Sequence, residues 1–525
     1  MHAPASSSTP SRRCCVALCK TRTLIAAAAL GVTVLAAVAA PSVGRAFSLD
    51  DVASRAQAEA RAQYVDHRVE VPKWMLIGSM TYDQWRDIRF KPDHSLWRSE
   101  GLPFQVQFFH PGLYYDRTVS VSVVDETGVH ATSFDSKSFD YGKNDFASRI
   151  PRNIGYAGIR IHTPMRTKAY FDELVVFLGA TYFRALGRDN VYGLSARGIA
   201  IDTVEPSGEE FPHFSEFWLV KPASDADHLV VLAMMESQSV TGAYRFDIHP
   251  GARTVIEVES RLFARKAMRK LGIAPLTSMF FFGENSRRHF DDFRPEVHDS
   301  DGLLLHFDSG EWLWRPLDNP PRINASSSHM KNPRGFGLQQ RDRRFESYED
   351  LETHAELRPS TWVEPRGDWG EGRVELDEIP SSTELEDNIV AFWVPDAPVL
   401  PGQALSFAYS VSFYMDDPAT PPGGRVLATR QDAGFKGDTN RFVLDFGGKD
   451  LNALPDAKPP VAVVTTQPAD AAELLDQHVV RNPYTGGWRV SFQVKPKNDA
   501  PVELRVFLQD EKSVLTETWS YAIIQ

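Results

Sequence analysis

From about residue 104 onward, apolar and polar side chains alternate with a period of two. Val119, Val121 and Val123 alternate with Ser120 and Ser122, Ile159 and Ile161 with Arg160 and His162, and Ile256 and Val258 with Glu257 and Glu259. Successive side chains of a strand point to opposite faces, so each run predicts a strand with one dry face and one wet face. Residues 229–235 and 302–307 are apolar on both faces, as central strands of a sandwich would be. Pro111-Gly112, Pro206-Ser-Gly208, His249-Pro-Gly251 and Asp308-Ser-Gly310 supply the turns between them. Helical spacing is confined to the amino end. Ser48 precedes Leu49, Val52, Ala53, Ala56 and Ala60, with Asp50 and Asp51 in the first turn, which predicts a helix N-capped by Ser48. A second short helix is predicted from Tyr82 to Asp87. Many strands with few helices predict an all-β fold, a large antiparallel β-sandwich.

Leu405, Phe407, Tyr409, Val411 and Phe413 make one more alternating strand. The Pro- and Gly-rich segment 416–424 then interrupts the pattern and reads as a linker. Beyond it, Trp488, Val490, Phe492 and Val494 alternate, as do Val502, Leu504, Val506 and Leu508. Short strands over residues 425–525 predict a small immunoglobulin-like β-sandwich. The larger sandwich would span residues 47–415.

Ahead of the helix, residues 1–46 carry Arg12, Arg13, Lys20, Arg22 and Arg45 but no acid, and Leu24 to Ala40 is an Ala-rich apolar run. That run suits a signal-peptide core better than a membrane span, and Ser11-Arg12-Arg13 reads as a twin-arginine export signal. A retained anchor is the alternative. The reading places the mature protein in the periplasm. Cys14, Cys15 and Cys19 all lie inside this leader, so the mature chain would hold no thiol nucleophile and no thiolate metal site. Net charge is −12 for the whole chain and about −17 without the leader. Such acidity, with no basic stripe, argues against nucleic acid as a partner.

Candidate chemistry centres on carboxylates beside aromatic rings. The stretch 358–393 holds Trp362, Trp369 and Trp393 with Glu364, Asp368, Glu371, Glu384, Glu386 and Asp387, a composition suited to stacking sugar rings and working on the bonds between them. An acidic surface hairpin is the plainer reading. Asp291, Asp292, His298, Asp299 and Asp301 form a second acidic stretch, without the calcium-loop pattern or a His-Glu-x-x-His pair, and an acidic turn explains it equally. No metal and no cofactor are expected. Gly193-Leu-Ser-Ala-Arg-Gly198 fails as a nucleophile elbow, since Arg197 intervenes and the context is not α/β. Arg197 reads as a substrate clamp or as half of a structural ion pair.

Several blocks in a fixed order are familiar: Ser95-Leu-Trp97, Phe108-Phe-His110, Phe177-Leu-Gly-Ala-Thr-Tyr-Phe-Arg184, Tyr192-Gly-Leu-Ser-Ala-Arg-Gly198, Ile273-Ala-Pro-Leu-Thr-Ser-Met-Phe280, His298-Asp-Ser-Asp301, Gly335-Phe-Gly-Leu338 and Asp387-Asn-Ile-Val-Ala-Phe-Trp393. From about Phe47 to Tyr521 the chain resembles the periplasmic glucan biosynthesis proteins of the OpgG/OpgD (MdoG/MdoD) type, and its twin-arginine leader resembles the D-type members more. The resemblance implies a galactose-mutarotase-like amino-terminal sandwich and an immunoglobulin-like carboxyl domain. It further implies anomer-inverting action on the β-1,2-glucan backbone of osmoregulated periplasmic glucans, by hydrolysis or by transglycosylation. The family's general acid falls on Asp387 and its general base on Asp299. Tyr192, Arg197, Asp301, Trp362, Arg366, Asp368 and Trp369 are the expected substrate-binding residues. Asp387 must hold a proton at neutral pH, which burial beside Ile389, Val390 and Phe392 or the charge of Glu384 or Glu386 would favour. A non-catalytic glucan-binding scaffold, assisting a membrane glucosyltransferase, is the alternative; a homodimer is compatible with either.

Overall fold

The computed structural model describes residues 46–524 apart from 67–69, 288–289, 418–419, 435–436 and 438. The export-signal reading therefore falls outside the described residues, as do two positions of the expected linker.

Helix Leu49–Arg61 forms where the spacing predicts it, with the Ser48 amide donating to the Asp51 carboxylate at 2.8 Å. Helix Tyr82–Arg86 follows, capped by Thr81. Most of the remaining regular structure is antiparallel strand. Ten strands make one sheet and fourteen another, and their inner faces share one apolar core. Ile159, Ile161, Phe177, Leu276 and Trp393 come to it from the first sheet, and Val231, Phe246, Val258, Val363 and Val411 from the second. The fold is thus an all-β sandwich.

Strand Leu229–Glu236 is apolar on both faces for a reason the pattern alone did not show. Val231, Ala233 and Met235 face the sandwich core, while Leu232 and Met234 pack beneath Val52 and Ala56 of the first helix. The helix covers part of an outer face that would otherwise lie open to water.

The carboxyl-terminal strands build a second core around Phe442, Trp488, Phe492, Leu504 and Trp519. They are not simply tethered. Strand Thr518–Ile523 pairs in parallel with Trp312–Pro316, so three late strands extend the fourteen-stranded sheet while four others close over them.

One tight contact inside this frame gives a direct test. At Gly337, in strand Gly335–Gln339, an added Cβ would lie 1.9 Å from the backbone oxygen of Thr361. A backbone atom cannot swing aside as a side chain can, so Gly337→Ala is expected to destabilise the protein by about 1–3 kcal/mol or more. Thermal unfolding of the variant checks this; an unchanged midpoint would contradict the packing.

Candidate functional site

Asp299 follows the short strand Val297–His298, and Asp387 stands two residues before the start of strand Ile389–Pro395. One dipeptide, Met279-Phe280, ties them together. The Asp299 amide donates to the Met279 carbonyl at 2.8 Å. The Phe280 amide donates to Asn388 Oδ1 at 2.8 Å, and Asn388 Nδ2 donates back to the Phe280 carbonyl at 3.0 Å. Asn388 is buried and also donates to the Ile379 carbonyl, which pins the neck of the loop that presents Asp387. Two acids far apart in sequence thus hang from adjacent backbone units, and Asp387 lies close enough for its charge to act on Asp299.

Their settings differ. Asp299 is 9 % exposed and Arg358 forms an ion pair with it, the same guanidinium donating to the His298 carbonyl at 3.0 Å. Burial pushes the Asp299 carboxyl up; Arg358 opposes the shift and Asp387 adds to it. Asp387 itself is exposed, so the burial expected for it is not found. Ile389, Val390 and Phe392 turn inward instead. Nor does Glu384 stand as a free charge beside it. Arg294 grips that carboxylate at 2.8 and 3.1 Å and also holds Asp292 and Asp350, so the second acidic stretch anchors the loop.

Near the pair lie Tyr182 and Arg184, which sequence reasoning did not name as site residues, beside Arg197, which it did. Tyr182 and Arg197 are cross-strand partners, with the guanidinium 4.6 Å from the ring centroid. Burial raises the Tyr182 phenol, Arg197 opposes this, and the charges of Asp387 and Glu209 add to it. Arg184, two residues on along the strand Tyr182–Ala185, acts electrostatically on both Tyr182 and Asp299. Alternation within Phe177–Arg184 was the available signal: it puts Tyr182 and Arg184 on one face. Arg197 is itself buried, donating to Thr277 Oγ1 at 2.8 Å and to Glu209 at 2.5 Å, so the ion-pair reading of it is met. Tyr192 sits beside Glu173; burial and then that charge push its phenol well above the ordinary range.

The remaining expected substrate contacts lie elsewhere. Residues 371–378 and 389–395 pair so that Gly372 meets Pro395 and Glu378 meets Ile389. The turn holding Asp368 and Trp369 therefore sits at the opposite end of this ladder from Asp387, roughly 20 Å or more away at about 3.3 Å per residue. Asp368 accepts the Gly370 amide at 2.9 Å, Trp369 packs on Trp393 and donates to the Ala408 carbonyl, and Arg366 pairs with Glu257. Trp362 is buried, stacks on Trp312 and joins the carboxyl-terminal core. Stretch 358–393 is thus split: strand Ser360–Arg366 joins the fourteen-stranded sheet, while Glu371–Glu378 and Ile389–Pro395 pair in the ten-stranded one.

Asp301 belongs to a buried joint between the two cores. Its Oδ2 accepts the amides of Arg341 and Asp342, and His298 Nδ1 lies 3.3 Å from Oδ1. His298 also contacts Glu296 and Gln340 at 3.0 Å. Burial lowers its affinity for protons, but Glu296 and Asp301 win and its pKa is raised to about 9. Burial raises Glu284 to about 7 and pushes Asp342 up as well. The folded state therefore binds more protons than the unfolded chain. The stability these groups contribute is lost as pH rises, for Glu284 between the ordinary carboxylate range and about 7 and for His298 between the ordinary imidazole range and about 9. Thermal midpoints measured from about pH 4.5 to 9.5 check this; Glu284→Gln is expected to flatten the decline below about 7 and to leave the part due to His298.

A cavity of about 400 Å³ lined by Arg287, Phe290, Asp318 and Tyr521 contains neither Asp299 nor Asp387. No helix among the described residues is long and apolar enough to cross a membrane.

Comparison with known proteins decides the family. The model of the periplasmic glucan biosynthesis protein MdoG matches residues 47–523. The chain belongs to this MdoG family. Glucans biosynthesis protein G of Ralstonia nicotianae is 46 % identical, over 93 % of this chain and 98 % of that protein. The proteins of the same name from Bradyrhizobium diazoefficiens and Pseudomonas paraeruginosa are 44 % and 42 % identical, each over 97 % of its own length and over 95 % and 96 % of this chain. Membership in the MdoG family supports a role in glucan biosynthesis.

Proposed function

We propose that this MdoG-family protein works in the periplasm on the β-1,2-glucan backbone, cleaving it with inversion by hydrolysis or by transfer to a sugar hydroxyl. The observation that carries the reading is the Asp299–Asp387 pair, hung from Met279-Phe280 and electrostatically coupled. Asp387, at the exposed end of its loop, donates a proton to the departing glycosidic oxygen. Asp299 takes a proton from water or from an acceptor hydroxyl, whose oxygen attacks the anomeric carbon from the opposite face as the old C–O bond breaks. Inversion needs the two carboxyls roughly 6.5–9.5 Å apart to leave room for that nucleophile. A saccharide lying over Asp387 would supply the dry surroundings that its exposed position does not. The family description supports the periplasmic setting.

A second reading, a glucan-binding scaffold that serves a membrane glucosyltransferase, is favoured by one feature: Asp299 is almost buried and paired with Arg358. Incubation with linear β-1,2-glucan separates the two. Shorter chains with new reducing ends mean hydrolysis, products without a reducing end mean cyclising transfer, and unchanged glucan supports the scaffold.

The raised Asp299 carboxyl also fixes a pH dependence. A base must be ionised, so kcat/KM is expected to fall on acidification through a pKa above the ordinary carboxylate range. Arg358→Met removes the group that opposes this shift, so the acid limb should move to higher pH in that variant. A limb unmoved by the substitution would remove Asp299 from the base role.

A further inference from the structure

The outer face of the fourteen-stranded sheet carries a group of side chains that no step above uses. Strands Leu229–Glu236 and Val240–His249 pair with Leu229 opposite Ile248, which brings His228, one residue before the ladder, opposite His249. Asp247 lies two residues before His249 and so on the same face. The pleat thus gathers three donors from two segments about twenty residues apart in sequence, a spacing that motif reading does not register.

Their geometry is that of an open coordination site. Asp247 Oδ1 lies 3.3 Å from His249 Nε2 and 3.8 Å from His228 Nε2, and one donor atom from each residue falls within 4.8 Å of the others. Ligands held about 2.0–2.1 Å from a tetrahedral zinc ion stand about 3.3 Å from each other, so little movement would close a shell. Asp247 is 8 % exposed, yet its Oδ1 has no hydrogen-bond partner, and neither has His249 Nε2. These two enclosed atoms stand 3.3 Å apart, close enough for one ion beside them to satisfy both. The surroundings already orient the ligands. Arg245 holds the other Asp247 oxygen at 2.6 Å, leaving Oδ1 as a single donor. His228 Nδ1 lies 3.0 Å from Asp227, which turns Nε2 toward the centre, the carboxylate–imidazole arrangement that commonly backs a metal ligand. Glu257 and Glu259 on the next strand are cross-strand partners of Asp247 and Arg245 and add negative charge to the same face.

We propose that His228, Asp247 and His249 form a binding site for a divalent transition metal of the zinc class. Two imidazoles and one carboxylate suit zinc, nickel or copper(II) rather than calcium, which needs six or more oxygens. The two histidines are 43 % and 41 % exposed at their side chains, so a fourth position opens to solvent. The site clips neighbouring strands on a face remote from the sandwich core and stands independently of the glucan chemistry.

The test is calorimetric titration of zinc chloride into chelator-treated, untagged protein, with thermal unfolding read in parallel. One zinc per chain is expected, with a dissociation constant on the order of 1 µM or below and a raised unfolding midpoint. His228→Ala and His249→Ala are partly exposed and should fold normally. Each is expected to weaken binding at least tenfold, and the double variant to abolish it. Asp227→Asn, which touches no metal, should weaken it by about tenfold. Absence of stoichiometric binding at about 100 µM free zinc, or binding retained by the double variant, would overturn the site.

Discussion

Asp387→Asn is expected to lower turnover of linear β-1,2-glucan by about 10²–10⁴-fold, the usual contribution of a positioned general acid. The side chain is exposed at the end of its loop, and the loop is held by Asn388 and by Arg294 on Glu384. The substitution therefore removes the proposed proton donor without disturbing what positions it. Unfolding midpoint and glucan affinity should stay close to those of the parent protein, so the loss should appear in kcat and not in KM. Release of reducing ends measures the effect where water is the acceptor, and mass analysis of products where a sugar is. Undiminished turnover would reassign the acid. Asp299→Asn is the companion, and here the structure adds a complication: the neutral amide leaves Arg358 without its carboxylate. A fall in stability alongside the fall in activity is expected for Asp299 and not for Asp387. That contrast follows from one acid being buried and the other exposed.

The largest stability effect is expected at the joint between the two cores. Arg341 donates to both oxygens of Glu517, at 2.6 and 3.0 Å, and to the Val426 carbonyl at 3.0 Å, with its guanidinium 3.6 Å from the Trp314 ring centroid. Glu517 in turn accepts the Val426 amide at 2.7 Å and is 2 % exposed. Breaking a buried pair by removing one partner leaves a charge stranded away from water, so Arg341→Met is expected to cost about 3–5 kcal/mol. Removing both charges strands neither, and Arg341→Met with Glu517→Leu should recover most of that loss. Thermal unfolding of the two single variants and the double variant measures the coupling. Purely additive losses would show that the two residues do not depend on each other. The backbone amide of Arg341 also donates to Asp301. The joint therefore reaches by way of His298 to the base candidate next to it in sequence, and activity should fall with stability in the single variants.

These two cases show where pattern reading carries and where it stops. Period-two alternation located strands such as Thr254–Ala264 and Ala404–Tyr414, and the Ser48 signal located the first helix. Each depends on residues near in sequence. The surroundings of the acids do not. Clustered tryptophans made residues 358–393 look like a sugar-stacking trough, yet Trp362 went to the second core and Trp369 to a turn at the far end of the ladder from Asp387. Asp301, one residue from a neighbour of Asp299, serves the joint. Conversely, Arg358 and Arg184 act on Asp299, and Asp387 acts on Tyr182; alternation puts Tyr182 and Arg184 on one face but does not say that the acids meet them there.

What this sequence determined on its own is the class of the fold and the identity of its family, because alternation, capping and motif order are properties of short segments that survive whatever the segments pack against. The spacing of the two acids, the ion pair at Asp299, the exposure of Asp387 and the cross-strand grouping of His228, Asp247 and His249 were decided only when the sheets closed. Strand register and sheet order bring together residues tens of positions apart, and a one-residue change of register would send each to the opposite face.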